Sequence, residues 1–374
     1  MYKESEQKNS ANPHKTLPSG DITSPWRFCI APMLDWTDRH YRYLARLMTR
    51  NARLYTEMVT TGALLHGDVS RHLSFNAAEH PVALQLGGSD PSDLAAAAVL
   101  GAQWGYDEIN LNVGCPSDRV QNGSFGACLM ATPEVVADGV RAMQASVDVP
   151  VTVKTRVGID RSDTFEAFAR FIDIVAGQGG CEVFIIHARK AWLDGLSPKE
   201  NREIPPLRRD FVYRIQDAYP ELTFVLNGKL ETIPEMQAEL ARVPGGIMVG
   251  RAAYQHIDWL RFVDQMLFDH SAPIPTRSAV VQGYRAYMLQ ALESGTPMPP
   301  LLKPLLTLFN GLPGARAFRR HLSEQGPKRK TDIHVLDEAL ALIPDLDAFD
   351  STELEWRCAS PHTAPHTEVD QKFG

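Results

Sequence analysis

The chain has 374 residues, of which 44% are hydrophobic and 22% are charged, and its formal net charge is −7. The length favours two or three domains, and the composition is that of a globular protein, which excludes a wholly disordered chain and a fibrous repeat. The net charge excludes a protein that coats nucleic acid through its overall charge, but it leaves room for a local basic surface.

The chain begins with a polar segment of mixed charge, so we expect no signal peptide. The longest apolar run, 94–102, is far shorter than the about 18 residues that a membrane helix needs. The cysteines are few, odd in number and without CxxC spacing, so we expect neither a disulfide framework nor a metal site. They are Cys29, Cys115, Cys128, Cys181 and Cys358. We therefore expect a cytoplasmic protein with no membrane anchor.

Eight short apolar runs recur, each followed by a polar or glycine-containing corner. They are 27–33, 53–58, 81–88, 108–116, 150–156, 182–189, 223–229 and 246–251. Continuous apolar runs are typical of parallel strands covered on both faces, and helical periodicity over 92–105, 132–146 and 164–177 indicates the crossovers that such strands need. The predicted fold class is α/β. Eight units over about 225 residues favour a TIM (β/α)8 barrel over a doubly wound sheet, whose edge strands would alternate more in polarity.

The pattern changes after residue 270, where the strand-like runs end. Short amphipathic helices separated by Pro and Gly are predicted over 279–293, 300–309, 314–324 and 333–343. We therefore predict a barrel domain over 26–270 and a small all-helical domain over 271–348. The two ends, 1–25 and 349–374, are predicted to be disordered.

Polar residues close nearly every predicted strand, at the end where TIM barrels carry their chemistry. Amide, cationic and imidazole groups dominate, and only one of these residues is acidic, so the mouth suits an anionic ligand that forms hydrogen bonds. The residues are Pro32, Met33, Glu57, Gln85, Asn110, Asn112, Cys115, Lys154, Arg156, His187, Arg189, Asn227, Gly228, Gly250 and Arg251.

Two late corners contain glycines that allow backbone N–H groups to approach an anion. Gly228 and Gly250 follow the seventh and eighth predicted strands, where barrels often hold phosphate, and Arg251 is adjacent. For either glycine alone, a simple turn from strand to helix explains the residue equally well. Together the two glycines favour phosphate.

Lys154 lies within an otherwise apolar strand, and a buried ammonium needs a partner or a function. It either pairs with an acid such as Glu57 or serves as a fixed cation beside a cofactor or a reacting group, and we favour the second interpretation. His187 follows an apolar run in the same way. It is either a hydrogen-bonded core histidine or a site residue.

Cys115 lies on a corner between Gly114 and Pro116, and no general base is adjacent in sequence. An unperturbed thiol, with a pKa of about 8.5, is mostly protonated at neutral pH. Cys115 therefore fits a proton donor better than a nucleophile. We interpret Cys29, Cys128 and Cys181 as small buried hydrophobic residues.

The corners together resemble the tRNA-dihydrouridine synthases over about residues 26–345. The matching motifs are APM (31–33), LQLGG (84–88), NLNVGCP (110–116), GACLM (126–130), VKTRVGID (153–160), IHAR (186–189), LNGK (226–229) and MVGRAAY (248–254). The segment LSPKENREIPPL, 196–207, resembles the bacterial branch that modifies D-loop uridines at positions 20 and 20a.

The resemblance implies FMN in the barrel mouth, NADPH as reductant and a C-terminal helical domain that helps to bind tRNA. By position, the isoalloxazine would contact the backbone of Pro32, Met33 and Leu34 and the side chains of Gln85, Lys154 and His187. The phosphate end would lie against Asn227, Gly228, Lys229, Gly250 and Arg251.

The resemblance also implies the chemistry. Hydride from the flavin adds to C6 of uracil, and Cys115 matches the family's proton donor to C5. Asn112 is placed to orient the uracil, and the uridine has to be flipped out of its stack to reach the mouth. We expect a monomer without a metal ion.

The segment 299–330 has seven Lys and Arg residues and one Glu, a local charge of +6. Arg316, Arg319 and Arg320 are spaced to lie near one helix face. A solvated charged face is the alternative for such a run alone, but beside this barrel we interpret it as a tRNA phosphate contact. Lys199 and Arg202, within 196–207, are candidates for determining which uridine is presented.

Other functions fit parts of this pattern. An FMN barrel that acts on free pyrimidines such as dihydroorotate would share the phosphate corners, but it does not explain the basic helical segment. A barrel that only binds RNA would be expected to lose Cys115 or Lys154, and both are present. Aldolase or isomerase barrels would need more acids at the mouth, or a Schiff-base lysine. The leading prediction is therefore reduction of uridine in tRNA.

Overall fold

A computed structural model describes residues 24–117 and 125–348. Eight strands pair in parallel with their neighbours in chain order, and the last pairs with the first, so the sheet closes into a barrel. The strands are β1 (Phe28–Ile30), β2 (Arg53–Thr60), β3 (Val82–Gly87), β4 (Glu108–Val113), β5 (Val151–Arg156), β6 (Val183–His187), β7 (Thr223–Asn227) and β8 (Ile247–Val249). The predicted TIM barrel is confirmed.

Helices surround the barrel and continue beyond it. They are α1 (Arg39–Met48), α2 (Thr61–His66), α3 (Val69–Leu73), α4 (Pro91–Gln103), α5 (Pro133–Gln144), α6 (Phe165–Gly177), α7 (Arg209–Ala218), α8 (Ile233–Arg242), α9 (Arg251–Gln255), α10 (Arg277–Glu293), α11 (Met298–Leu302), α12 (Ala315–Gln325) and α13 (His334–Leu340). Shorter helical turns include Gly126–Ala131, Glu200–Arg202, Ile257–Phe262 and Lys303–Thr307.

The strands are buried along most of their length because both of their faces are covered. Every residue of β3 and of β4 is buried, one face against the outer helices and the other inside the barrel. Inside the barrel, a small apolar cluster that includes Tyr55, Ile185 and Met248 fills part of the space. Polar side chains occupy the rest of the interior, and they lead from the base of the barrel to its mouth.

Six of the eight strands stop earlier at their carboxyl ends than their apolar runs predict, the exceptions being β2 and β5. The run 108–116, for example, ends as a strand at Val113. Beyond it, the N–H groups of Gly114 and Cys115 donate to the Asn112 side chain, at 3.1 and 3.0 Å, and not to a neighbouring strand. Pro116 has no N–H to offer. The corner is therefore held by a side chain, which an apolar pattern does not reveal.

The helices after β8 pack beside the mouth of the barrel, against α1 and α9. Tyr43 of α1 stacks on Tyr287 of α10 with 4.0 Å between ring centroids. Thr307 Oγ1 donates to the carbonyl of Tyr254 in α9 at 2.8 Å. The predicted helix over 300–309 is divided between α11 and a 3-10 turn.

The first described residues belong to the base of the barrel. Ser24 Oγ donates to the carbonyl of Gly245 at 2.7 Å, and the carbonyl of Pro25 accepts from Arg53 Nε at 3.0 Å. These two residues, which the sequence analysis assigned to the N-terminal extension, are therefore part of the barrel. The segments 1–23 and 349–374, with Cys358, lie outside the described residues. Within the described ranges, no helix combines the length and apolarity needed to span a bilayer.

Candidate active site

A cavity of about 1510 Å³ opens at the carboxyl ends of the barrel strands. Its lining includes fourteen of the predicted site residues. These are Pro32, Met33, Leu34, Gln85, Asn112, Cys115, Lys154, His187, Arg202, Asn227, Gly228, Lys229, Gly250 and Arg251. Lys199, Arg316, Arg319 and Arg320 do not line it.

Cys115 is half-buried on the corner after β4. Its Sγ lies 3.5 Å from Ser117 Oγ, and within the described residues no imidazole or carboxylate is in hydrogen-bond contact with it. The thiol therefore lacks the adjacent base that activates a nucleophilic cysteine. This environment fits a proton donor.

Asn112 uses both ends of its amide to hold this corner. Its Nδ2 donates to Gln85 Oε1 at 2.9 Å, and its Oδ1 accepts the N–H groups of Gly114 and Cys115. One hydrogen of Nδ2 is left for a ligand. Asn112 was predicted to orient the substrate, and the geometry adds a second role, that of fixing the position of Cys115.

Lys154 faces the cavity from β5, beside Asn112 in the strand register. Its Nζ lies 3.4 Å from Asn227 Oδ1, and within residues 24–117 and 125–348 it has no carboxylate partner. The alternative ion pair with Glu57 is not formed among these residues, and Glu57 Oε1 accepts the N–H of Asp35 at 2.5 Å. Burial, and then the positive charge of Arg156, lower the pKa of Lys154 to about 8. A cation in this setting is suited to an anionic ligand.

His187 ends β6 and also lines the cavity. Its imidazole makes no hydrogen bond within the described part of the chain, so it does not fit a hydrogen-bonded core histidine. Burial, followed by the charges of Arg156 and Lys154, lowers its pKa well below the usual value. The imidazole is therefore neutral at pH 7 and can offer a ring nitrogen to a ligand.

The corner after β7 needs glycine. Gly228 has a φ of +133°, and a Cβ there would meet Leu207 Cδ1 at 3.1 Å and His187 Cδ2 at 3.2 Å. Lys229, the next residue, adopts a φ of 49° with its side chain exposed. The backbone thus turns tightly beside His187 and keeps the cavity open at this point.

Arg251, predicted to bind phosphate, pairs with Glu203 at 2.6 Å. Glu203 belongs to the segment 196–207, which also contributes Pro198 and Arg202 to the lining of the cavity. An anion bound at Gly250 would share the Arg251 guanidinium with this carboxylate. The predicted phosphate corner is therefore linked to the segment 196–207.

Arg156 is a site residue to which the sequence analysis gave no role. Its buried guanidinium donates from Nε to the carbonyl of Gly114 at 2.7 Å and from Nη1 to those of Lys190 and Asn201, at 3.0 and 3.1 Å. Burial is the main cause that lowers its pKa to about 10. Arg156 joins the Cys115 corner to the segment 196–207. Its place two residues after Lys154, on the same face of β5, was the available signal.

The mouth contains more acids than the strand ends indicated. Glu57 is the one acid among the predicted strand-end residues, but Asp35, Asp38 and Glu231 also line the cavity, all from loops. Asp38 caps α1 by accepting the N–H groups of His40 and Tyr41 at 3.0 and 2.8 Å. In the part of the chain that the structure describes, no group of three or more His, Cys, Asp or Glu side chains could hold a metal ion.

The basic helix lies outside the cavity, on α12. Arg316 and Arg320 are exposed, and neither pairs with a carboxylate of the described residues. Arg319 is half-buried and donates to Asn310 Oδ1. The predicted three-residue face therefore presents two free guanidinium groups and one that is held against the protein. Lys199 and Arg202 are both exposed, and only Arg202 reaches the cavity.

Comparison with known proteins assigns this site to a family. The family model described as dihydrouridine synthase matches residues 29–343. A tRNA-dihydrouridine(20/20a) synthase of Shigella flexneri is 53% identical over 90% of this chain and 98% of its own length. Proteins of the same name from Vibrio vulnificus, 54% identical over 86% of this chain and 98% of theirs, and Shewanella oneidensis, 55% over 88% and 95%, are equally similar. The chain belongs to the dihydrouridine synthase family.

Proposed function

We propose that this enzyme reduces the 5,6 double bond of uracil at positions 20 and 20a of the tRNA D-loop, with FMN as cofactor and NADPH as reductant. One arrangement carries the proposal: among the described residues, a thiol without a base, at Cys115, and a cation without a carboxylate partner, at Lys154, line the same cavity. Relatives named for this reaction match nearly the whole chain at 53% identity or more.

The cavity residues fit FMN. The Lys154 ammonium and the neutral His187 ring offer one charged and one uncharged donor or acceptor to the polar edge of an isoalloxazine, beside Gln85. Pro32, Met33 and Leu34 would contact the ring system through their backbone. The phosphate would lie against Asn227, Gly228, Lys229, Gly250 and Arg251. FMN, when bound, supplies the hydride that uracil accepts at C6.

Cys115 supplies the proton that completes the reduction. No base contacts the thiol among the described residues, and the thiol can deliver its proton to C5 as negative charge develops there. Asn112 holds the corner of Cys115 and directs its remaining N–H toward the substrate. The uridine has to leave its stack to enter the cavity, because a stacked base cannot reach the strand ends.

The tRNA would be held outside the cavity. Arg316 and Arg320 of α12 offer unpaired charge to phosphates, and Arg319 supports this face through Asn310. Lys199 and Arg202, in the segment 196–207, would help to select the uridine that is presented. We place this reaction in the cytoplasm, with the enzyme acting as a monomer.

The dihydrouridine content of tRNA tests the proposal directly. Cells that lack this gene should lose dihydrouridine at positions 20 and 20a and keep it at other D-loop positions, as mapped by mass spectrometry of tRNA fragments. Unchanged positions 20 and 20a would contradict the assignment. Turnover of free dihydroorotate by the purified enzyme would instead favour the free-pyrimidine alternative.

FMN affinity should depend on pH through Lys154. The ammonium is charged below its pKa of about 8, and a hydrogen bond from it to a carbonyl oxygen of the isoalloxazine would raise that pKa, so binding takes up a proton at higher pH. FMN should therefore bind about tenfold more weakly at pH 9 than at pH 7, as measured by quenching of flavin fluorescence. Lys154→Met should bind FMN weakly at both values. If the FMN affinity of Lys154→Met depended on pH as strongly as that of the wild-type enzyme, Lys154 would be ruled out as the source of the pH dependence.

A further inference from the structure

Glu108 lies at the base of the barrel, the end opposite the cavity, and is completely buried. Its Oε1 accepts hydrogen bonds from Tyr55 Oη at 2.8 Å and Thr152 Oγ1 at 2.6 Å. Its Oε2 accepts from Trp26 Nε1 at 2.8 Å and Arg53 Nη1 at 3.2 Å. A carboxylate has acceptors only, and all four of these partners donate. Each of these hydrogen bonds is therefore donated to Glu108. In any series of hydrogen bonds that ends at Glu108, the donors have to point toward the base of the barrel.

A chain of hydrogen bonds leads from Glu108 to the mouth. Thr152 Oγ1 accepts from Asn110 Nδ2 at 2.7 Å, and Asn110 Oδ1 accepts from Gln85 Nε2 at 2.7 Å. Gln85 Oε1 accepts from Asn112 Nδ2 at 2.9 Å. The strands place these groups together, because alternate residues of β4 share one face and Asn110 is in register with both Gln85 and Thr152. We call Thr152, Asn110, Gln85 and Asn112 the interior chain.

Each member of the interior chain has one orientation that satisfies both of its neighbours. Thr152 has a single hydroxyl hydrogen, which goes to Glu108, so its oxygen has to face the amide nitrogen of Asn110. Each following amide then presents its oxygen toward the mouth. At the mouth, Asn112 Oδ1 meets the two backbone N–H groups of the Cys115 corner. Turning any one amide over would oppose two donors or two acceptors, which is costly in a buried site.

We propose that Glu108 is a positioning residue for Cys115. By setting the direction of the interior chain, its carboxylate turns Asn112 Oδ1 toward the N–H groups of Gly114 and Cys115 and so holds the thiol at the cavity. The inference rests on the proposed function only in that Cys115 acts as proton donor. Glu108 acts through four side chains and touches neither substrate nor cofactor.

The variant Glu108→Gln should reverse the direction of the hydrogen bonds along the interior chain. Its amide oxygen would face Arg53, because leaving a buried guanidinium unpaired costs more than leaving a hydroxyl. Its nitrogen would then face Thr152, and the amides of Asn110 and its successors would turn over one after another. Finally, Asn112 Nδ2, a donor, would face the backbone N–H groups of Gly114 and Cys115, which are also donors. The two hydrogen bonds that hold this corner would then be lost.

We expect Glu108→Gln, once its flavin has been reduced by NADPH, to form dihydrouridine about 10- to 100-fold more slowly in a single turnover, with unchanged tRNA affinity. Iodoacetamide should alkylate Cys115 faster in this variant, as followed by peptide mass spectrometry of the flavin-loaded enzyme. A wild-type turnover rate and alkylation rate in Glu108→Gln would overturn the proposal.

Moving the acid two residues along β4 should restore the original direction of the hydrogen bonds at Gln85 and Asn112. In the double variant Glu108→Gln, Asn110→Asp, Thr152 accepts from the new amide at position 108 and gives its hydrogen to the new carboxylate at position 110. The other oxygen of that carboxylate accepts Gln85 Nε2 as before, so Gln85 and Asn112 keep their direction. We expect turnover and alkylation near the wild-type rates. If Glu108→Gln alone does not fold, this variant decides the matter, since slow turnover with flavin bound would overturn the proposal.

Tyr55→Phe is the matched control. It removes one of the two hydrogen bonds to Glu108 Oε1, the oxygen that also accepts from Thr152, and it leaves the interior chain unchanged. It should therefore lower thermal stability without changing the rates of turnover or alkylation. If Tyr55→Phe lost as much turnover as Glu108→Gln, the effect of Glu108 would be explained by packing alone, and the proposal would be overturned. The alkylation rates do not depend on tRNA. They therefore test the interior chain even if the wild-type enzyme forms no dihydrouridine, the result that would defeat the proposed function.

Discussion

Cys115→Ala should abolish dihydrouridine formation while the protein keeps its flavin. The hydrogen-bond partner of the thiol among the side chains of the described residues is Ser117 Oγ, so its removal disturbs no hydrogen bond on which the cavity depends. Loss of a positioned acid typically slows a reaction by about 10²- to 10⁴-fold. Single-turnover conversion of tRNA by the NADPH-treated enzyme would measure the effect.

The matching control is Cys128→Ala. Cys128 is half-buried like Cys115, but its Sγ donates to the carbonyl of Phe125 at 3.1 Å and does not line the cavity. It should convert tRNA at the wild-type rate. Both variants should retain the yellow colour of bound flavin and oxidise NADPH, and loss of flavin from Cys115→Ala would contradict the proton-donor role.

Reversing charge at Arg316 and Arg320 together should produce the second large effect, on tRNA binding. Both guanidinium groups are exposed and have no carboxylate partner within the described ranges, so they are free to contact phosphate. The double variant Arg316→Glu, Arg320→Glu should weaken tRNA binding by about 10- to 100-fold near 0.1 M salt. The slope of log affinity against log salt should fall by about two, while NADPH oxidation stays unchanged.

Arg170→Glu serves as the control for charge. Arg170 is exposed on α6, a helix of the outer barrel wall, and lines no part of the cavity. It changes the net charge by the same amount per substitution without touching α12. Equal weakening by Arg170→Glu would show that overall charge and not the α12 face controls tRNA affinity.

The barrel and most of its mouth could be predicted from the sequence because both follow from local rules. Strands covered on both faces need continuous apolar runs, as in β3, and polar residues at the ends of such runs have to converge once the barrel closes. Lys154 and His187 were recognisable because a buried polar group stands out within an apolar segment. Each of these signals lies within a few residues of the group it predicts.

The remaining features depend on partners that are distant in sequence. Arg251 meets Glu203 at the mouth, 48 residues apart, and nothing near either residue indicates the pairing. The role of Glu108 depends on Thr152, 44 residues away, and on the direction of amides whose oxygen and nitrogen look alike in a sequence. The alternation of Glu108, Asn110 and Asn112 was nevertheless visible, since residues two apart share a strand face. It indicated polar groups inside the barrel but not their order.

Arg156 donates hydrogen bonds to three backbone carbonyls, and these bonds constrain which substitutions of the segment 196–207 the enzyme can accept. The guanidinium is 4% exposed and is anchored at Gly114, Lys190 and Asn201, so the loop carrying the thiol and the segment 196–207 share one support. A loop exchanged from a relative with another backbone path at Asn201 would leave a buried cation with an unmet donor. We therefore expect that exchanging the segment 196–207 alone will not transfer the uridine selection that is proposed for it. The graft has to carry its own residue at position 156, or it will misplace Cys115.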